Sequence, residues 1–95
     1  MPVTKERLDH QSIIRLEGEL TVTSAAELKQ VLLEAFSEGD LQLDLERAEE
    51  IDITVMQLLW AAGREAERKG VNISLRASEA VTRATRDAGI ELWQK

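Results

Sequence analysis

The fold of this chain is decided around residues 51–60, which read Ile-Asp-Ile-Thr-Val-Met-Gln-Leu-Leu-Trp. They lead into an amphipathic helix that the apolar periodicity predicts from Ile53 to Lys69. Asp52 is placed to cap this helix, because its carboxylate can accept hydrogen bonds from the unpaired N–H groups of the first turn. Thr54 then lies in that turn, near the positive end of the helix dipole, where a phosphate on its hydroxyl would be tolerated. Helix capping alone also explains such an Asp-x-Thr sequence, and by itself it is the simpler interpretation.

The composition excludes several kinds of site and partner. The chain has 95 residues, a formal net charge of −6, one histidine and no cysteine. Disulfides, thiolate metal sites and cysteine nucleophiles are therefore excluded, and the lone His10 argues against a multi-histidine metal site or a histidine-based triad. The acidic charge argues against nucleic acid and anionic membranes, because both require basic patches.

The hydropathy pattern indicates where the protein works. No apolar run approaches the ~20 residues that a membrane-spanning helix needs, and no signal peptide opens the chain. We therefore expect residues 1–95 to form one soluble, cytoplasmic domain, with no membrane insertion and no cofactor.

Alternating apolar and polar runs predict the strands of a sheet. Two of them, at Val3–Leu8 and Ser12–Glu17, are close enough to form a hairpin with His10 in its turn. Further strands are predicted at 41–45, 71–76 and 90–93. Residues 18–20 are predicted to lead out of the second strand, and residues 46–50 to form a charged connection.

Three segments have the periodicity of a helix. The first is predicted to open at Thr23 or Ser24, because Ser24 and Glu27 fit a capping box, and Gly39 stops it. The second is the helix from Ile53, and the third lies between a capping serine at position 78 and a glycine at position 89. Strands separated by helices indicate βαβ units and a parallel sheet in the C-terminal two-thirds of the chain.

The strands at 41–45 and 71–76 alternate between apolar and polar residues. Strands covered on both faces of a parallel sheet are apolar throughout. The pattern therefore predicts an α/β fold in which helices lie mainly on one face of a mixed four- to five-stranded sheet. The other face then presents Gln42, Asp44, Asn72 and Ser74 to solvent or to a partner. The predicted core contains Leu32, Leu43, Leu45, Leu58, Leu59 and Ile73.

Four short motifs follow one another on this strand–helix pattern. They are Leu-Glu-Gly-Glu-Leu at 16–20, Ser-Ala at 24–25, Leu-Asp-Leu at 43–45 and Ile-Asp-Ile-Thr at 51–54. Together they resemble the STAS family, the fold of anti-anti-sigma factors and of the regulatory domains of sulfate transporters. The resemblance covers nearly the whole chain, from Val3 to Trp93.

The resemblance implies a function for the Asp-x-Thr sequence. In bacterial members that act as phospho-switches, a partner kinase of the anti-sigma type phosphorylates the serine or threonine two residues after the aspartate. That position is Thr54, and the aspartate is Asp52. The surface around them then binds a protein partner, with contacts implied for Gly18, Glu19, Thr21, Asp52, Ile53, Thr54, Val55 and Met56.

This chain departs from the family's usual motif at several positions. Many phospho-switch members read Asp-Ser-Ser-Gly-Leu or Asp-Ser-Thr-Gly-Leu, whereas this chain has Ile53, Val55 and Met56 in place of the first hydroxyl residue, the glycine and the leucine. Thr21 also replaces an aspartate that often follows Gly-Glu-Leu. Versions without the glycine resemble stressosome-type members, in which a threonine or serine still accepts phosphate.

Three functional hypotheses follow from these residues. The first is a signalling module of the anti-sigma-factor-antagonist type, which binds a kinase or other regulator and is controlled at Thr54. The second is a constitutive STAS subunit of a transporter or chemotaxis-associated complex, which Ile53 and Val55 favour. The third is an enzyme, but Asp44 and Asp52 have structural explanations and no glycine-rich phosphate loop with a lysine is present. We therefore expect no catalytic activity.

Two large side chains in the second helix are candidates for the interface. Methionine and tryptophan are enriched at binding surfaces. We expect Met56 to be exposed, since it lies off the main apolar stripe, and Trp60 to be partly buried. The partner and the oligomeric state are left open by the sequence.

Overall fold

The structure is a computed structural model that describes residues 3–90 and residue 92. Within these residues, strands and helices alternate as an α/β fold. The strands are β1 (Val3–Leu8), β2 (Gln11–Leu16), β3 (Gly18–Leu20), β4 (Asp40–Leu45), β5 (Ala48–Ile51) and β6 (Ile73–Ala77). The helices are α1 (Val22–Phe36), α2 (Ile53–Lys69) and α3 (Glu79–Ala88).

The main sheet has four strands in the order β1-β2-β4-β6. β1 and β2 form the predicted antiparallel hairpin, whereas β4 pairs in parallel with both β2 and β6. The mixed four-stranded sheet confirms the predicted fold class.

A second, two-stranded parallel ribbon is formed by β3 and β5. The predicted strand exit at 18–20 and charged connection at 46–50 were therefore wrong, because both segments form strands. The strand β5 was missed because exposed glutamates dominate its sequence, although Ala48 is only 3% exposed and Ile51 is half-buried. Gly18 separates β2 from β3 with a φ of +74°, a left-handed conformation that glycine adopts without strain.

The core lies between one face of the main sheet and the helices. It is built from inward-facing residues of β2 and β4, such as Ile14 and Leu43, and from the buried sides of the helices, such as Leu28 and Leu59. Burial is confirmed for five residues of the predicted core, namely Leu32, Leu43, Leu45, Leu59 and Ile73. Leu58 was wrongly included, because it is only half-buried.

The opposite face of the sheet is open, as the alternation predicted. Its polar side chains are half-buried or exposed, namely Gln42, Asp44, Asn72 and Ser74. Among residues 3–90 and 92, helices therefore cover one face of the sheet only.

The start of α1 and the C-terminal segment differ in detail from the prediction. Helix α1 begins at Val22, because Thr21 has extended backbone and its N–H donates to Ser24 Oγ at 3.1 Å. Ser24 is therefore the third residue of the helix, and its hydroxyl binds the N-cap residue Thr21. It is not the N-cap of the capping box that was predicted with Glu27. The short strand predicted at 90–93 falls partly outside the described residues, and Ile90 and Leu92 lie in neither helix nor strand.

No helix in the described part of the chain is both long and apolar enough to cross a membrane.

Candidate partner-binding corner

The β3–β5 ribbon places the starts of two helices side by side. Leu20 and Ile51 are paired in register as the last residues of the two parallel strands. α1 follows β3 after one residue, Thr21, and α2 follows β5 after one residue, Asp52. The Asp52 N–H donates to the Leu20 carbonyl oxygen at 2.8 Å, which joins the two helix starts. We call the surface formed by 18–23 and 50–54 the corner.

Asp52 and Thr54 are joined by two hydrogen bonds at the start of α2. Asp52 Oδ1 accepts from the Thr54 backbone N–H at 2.8 Å and from Thr54 Oγ1 at 2.6 Å. The hydroxyl, and after it the backbone N–H, lowers the pKa of Asp52 below its ordinary value, because both bonds favour the charged carboxylate. A carboxylate with a lowered pKa is a weak base near neutral pH. The aspartate therefore caps the helix and orients the hydroxyl.

The segment that follows Asp52 is divided between surface and core. Ile53 is 49% exposed and Thr54 is exposed, whereas Val55 is 0% and Met56 is 6% exposed. The expectation that Met56 is exposed was wrong. Met56 and Val55 lie three and four residues before the buried Leu59, so they share its inward side of the helix. Their side chains support the first turn from beneath, and Ile53 and Thr54 face outward.

The other side chains predicted at the interface lie on the neighbouring helix start and ribbon. Glu19 and Thr21 are exposed and Gly18 is half-buried. Trp60, which was expected to be partly buried, is 46% exposed and lies two turns further along α2, with the Arg64 guanidinium 5.0 Å from its ring centroid.

The charge on the corner is negative. Glu19 and Glu50 are paired across the ribbon and are both exposed, and the Asp52 carboxylate follows directly. The cation nearest in sequence, Arg47, directly precedes β5 at the opposite end of the ribbon, where it is 3.7 Å from Glu17. The corner therefore combines carboxylates with exposed apolar side chains.

Two residues of this surface were not singled out from the sequence, namely Val22 and the exposed Glu50 of β5. Val22 is 62% exposed at the first position of α1, as Ile53 is at the first position of α2. The signal was present in the sequence, because Thr21-Val22-Thr23 repeats the pattern of Asp52-Ile53-Thr54: a polar cap, a β-branched apolar residue and a threonine. Only the pairing of β3 with β5 shows that the two patterns are neighbours.

The described residues contain no group of three or more histidine, aspartate or glutamate side chains that could hold a metal ion. Asp44, the other carboxylate considered for catalysis, lies on the open face of the sheet. It accepts from the Glu46 N–H at 3.0 Å and is 3.8 Å from Arg15. Each aspartate thus has a local structural role, and the geometry does not favour the enzyme hypothesis.

Solved structures of anti-sigma factor antagonists share this fold. SpoIIAA in its unphosphorylated form aligns with a TM-score of 0.80 at 20% identity, covering 98% of this chain and 85% of that chain. SpoIIAA from Bacillus in its phosphorylated form gives 0.77 at 19% identity, with 98% and 88% coverage. A serine-to-glutamate variant of RsbS from Moorella thermoacetica gives 0.79 at 24% identity, with 97% and 81% coverage.

Another match is to a much longer protein. The structure of Mglu aligns with a TM-score of 0.73 at 21% identity, over 82% of this chain. The chain spans only 20% of the length of Mglu. No protein of curated function matches the sequence significantly.

The sequence itself matches a family model. The model described as "Mlab, STAS domain" covers residues 3–91, and therefore almost the whole chain. This match agrees with the resemblance of the motifs at 16–20 and 51–54 and with the shared fold. The chain belongs to the STAS family, in the group described as Mlab.

Proposed function

We propose that this STAS domain is a protein-interaction module of bacterial cytoplasmic signalling, whose corner binds a regulatory protein of the kinase or anti-sigma type and whose Thr54 hydroxyl is the point of control. One observation carries the proposal. Thr54 presents an exposed hydroxyl at the start of α2, held by Asp52 at 2.6 Å and flanked by the exposed Ile53. The existence of SpoIIAA in both unphosphorylated and phosphorylated forms supports a similar control here.

The corner has the composition of a contact surface. Ile53 and Val22 are 49% and 62% exposed, and burying such side chains against a partner contributes about 25 cal/mol per Å² of apolar surface. The carboxylates of Glu19, Glu50 and Asp52 lie on the same corner and favour a partner with basic residues at its rim. Association should then be slower at high salt, because screening weakens the long-range attraction.

Phosphorylation of Thr54 would act on the contact more than on the fold. It would replace the hydroxyl that donates to Asp52 by a group of about −1.5 to −2 charges. The helix dipole favours this charge by ~0.3–1 kcal/mol, and repulsion from Asp52 opposes it. These effects offset each other within the domain. At the interface, however, a strongly hydrated charge beside Ile53 would have to be desolvated, so binding should weaken.

A second candidate is a constitutive subunit of a larger complex, in which Thr54 only starts a helix. Two observations favour it. The Thr54 hydroxyl is already used in the cap, and the following residue is the buried Val55 where phospho-switch members often have glycine. In this alternative the corner still binds a protein partner through Ile53, and no phosphate controls the contact.

The binding site is tested by site-specific cross-linking. A photo-reactive amino acid replaces Ile53 in one variant and Ser74, on the open face of the sheet, in another. We expect the Ile53 variant to trap one defined protein in cells of the native host, and the Ser74 variant to trap none. Trapping of the same protein from Ser74 alone would place the interface on the sheet.

The control point is tested with that partner after purification. Thr54→Glu should lower its affinity at least tenfold, about 1.4 kcal/mol, with little change in melting temperature. Thr54→Ala should keep binding and lose regulation. Equal affinities for Thr54→Glu and the wild type, together with no phosphate on Thr54 after incubation with the partner and ATP, would favour the constitutive subunit.

A further inference from the structure

A mainly apolar groove lies between α1 and α2, away from the corner. It has a volume of about 420 Å³. Its residues on α2 run from Leu58 to Lys69, so the centre of the groove lies roughly 14 Å along the helix from Thr54. Its lining includes Leu32, Leu33, Phe36, Leu58, Ala61 and Ala62.

Several of these side chains remain accessible to solvent, although Phe36 and Leu58 also pack against the core. Leu33 is 60% exposed, and Phe36 and Leu58 are only half-buried. Single exposed apolar residues are ordinary on a protein surface, but a contiguous set in a groove is a candidate docking surface. The half-burial of Leu58, which the periodicity placed in the core, follows from its position on the wall of this groove.

The rims of the groove carry positive charge on an acidic protein. Lys29 lies on the α1 side and Lys69 on the α2 side. Glu65 also lines the groove, but two cations share its carboxylate: Arg68 binds both oxygens, at 3.1 and 3.2 Å, and Lys69 Nζ lies 4.0 Å from one of them. Among residues 3–90 and 92, Lys29 forms no ion pair. The groove is thus locally basic, although the whole chain has a net charge of −6.

We propose that the α1–α2 groove is a second docking surface, which binds an amphipathic helix whose apolar stripe is flanked by acidic residues. An apolar floor between two helices fits the side chains of such a helix at positions i, i+4 and i+7. Lys29 and Lys69 then face the acidic residues on its two flanks. This inference is independent of the function proposed for the corner, since no residue is shared by the two surfaces.

Two synthetic peptides of about 18 residues, long enough to form helix in isolation, test the groove. Both carry leucines at i, i+4 and i+7, and one has glutamates on the flanks where the other has lysines. In a fluorescence anisotropy titration the glutamate peptide should bind at least tenfold more tightly. Lys29→Glu combined with Lys69→Glu should reverse this preference. Equal binding of the two peptides by the wild type would overturn the proposal.

Single variants separate the groove from the other surfaces. Leu33→Asp should weaken binding of the glutamate peptide at least tenfold without lowering the melting temperature, because Leu33 is mostly exposed. Ile53→Asp, at the corner, should leave peptide binding unchanged. Loss of binding with Ile53→Asp but not with Leu33→Asp would contradict the proposal.

Other occupants of the groove give different results. Leu33-dependent binding to vesicles of phosphatidylcholine and phosphatidylglycerol, without binding of the glutamate peptide, would assign the groove to a membrane surface. Leu33-dependent dimerisation in sedimentation experiments, again without peptide binding, would assign it to a second copy of the chain. Either result would overturn the proposed helical partner.

Discussion

The starts of α1 and α2 are neighbours in the structure and match position by position. The first residue of each helix is an exposed β-branched apolar residue and the second an exposed threonine, whereas the seventh is a fully buried leucine. In this order the pairs are Val22 and Ile53, Thr23 and Thr54, and Leu28 and Leu59. The shared pattern follows from a shared task, since each helix leaves one strand of the ribbon and packs on the same face of the sheet.

The two helix starts differ in the chemistry of the cap. In α2, the Asp52 carboxylate accepts both the backbone N–H and the hydroxyl of Thr54. In α1, the direction is reversed, since the Thr21 N–H donates to the Ser24 hydroxyl. An exposed threonine at the second helical position is therefore not distinctive by itself. The carboxylate that holds its hydroxyl is what separates Thr54 from Thr23.

The buried leucines should matter equally in the two helices. Leu59→Ala and Leu28→Ala should each lower the free energy of unfolding by ~2–5 kcal/mol, because both side chains are 0% exposed in the core. Urea denaturation of both variants checks this. An unchanged midpoint for either one would show that the equivalence of the two helices fails in the core.

The fourth helical positions should differ. Met56 is 6% exposed, whereas its counterpart Ala25 is half-buried. Met56→Lys should lower the free energy of unfolding by ~1.5–3 kcal/mol, about the value of burying a methionine, even if the lysine stem reaches the surface. Ala25→Lys should lower the free energy of unfolding by less than this. Thermal unfolding of the two variants checks the difference. Equal, small effects would instead agree with the exposed Met56 expected from the sequence.

The cap chemistry predicts a difference in pH dependence. The folded-state pKa of Asp52 is lowered chiefly by the Thr54 hydroxyl, so its stabilising contribution is present above the ordinary aspartate pKa of ~3.9 and is lost as the pH falls through the folded value. Thr54→Val should raise this pKa, and the stability difference between wild type and variant should shrink in acid.

An NMR titration of the carboxylates gives the measurement and its control. Thr23→Val should leave the pKa of Asp52 unchanged. The pKa of Glu65, which Arg68 lowers, should stay low in both variants. An Asp52 pKa unaffected by Thr54→Val would contradict the assigned hydrogen bond.

Much of the fold could be predicted because the relevant signals are local. The alternation in β4 and the helical periodicity after Asp52 depend on each residue's own burial, and the capping glycine at position 70 closes α2 in the left-handed conformation. The ribbon could not be predicted in this way. β3 has three residues and β5 has four, and their pairing depends on contacts across about thirty residues of sequence.

The candidate site was predictable only in part for a similar reason. The bond between Asp52 and Thr54 is local, and the capping pattern indicates it. The burial of Met56 depends on how α2 is rotated against the sheet, and the role of Val22 depends on the ribbon that brings α1 beside α2. Neither depends on the nearby sequence alone.

The most direct test of the corner is amide hydrogen exchange of the protein with and without the partner trapped from Ile53. The account predicts slower exchange in the segments 19–23 and 53–57, which start the two helices, and no change at 73–76 on the open sheet. Slower exchange at 73–76 with unchanged exchange at both helix starts would contradict the assignment of the corner as the binding surface.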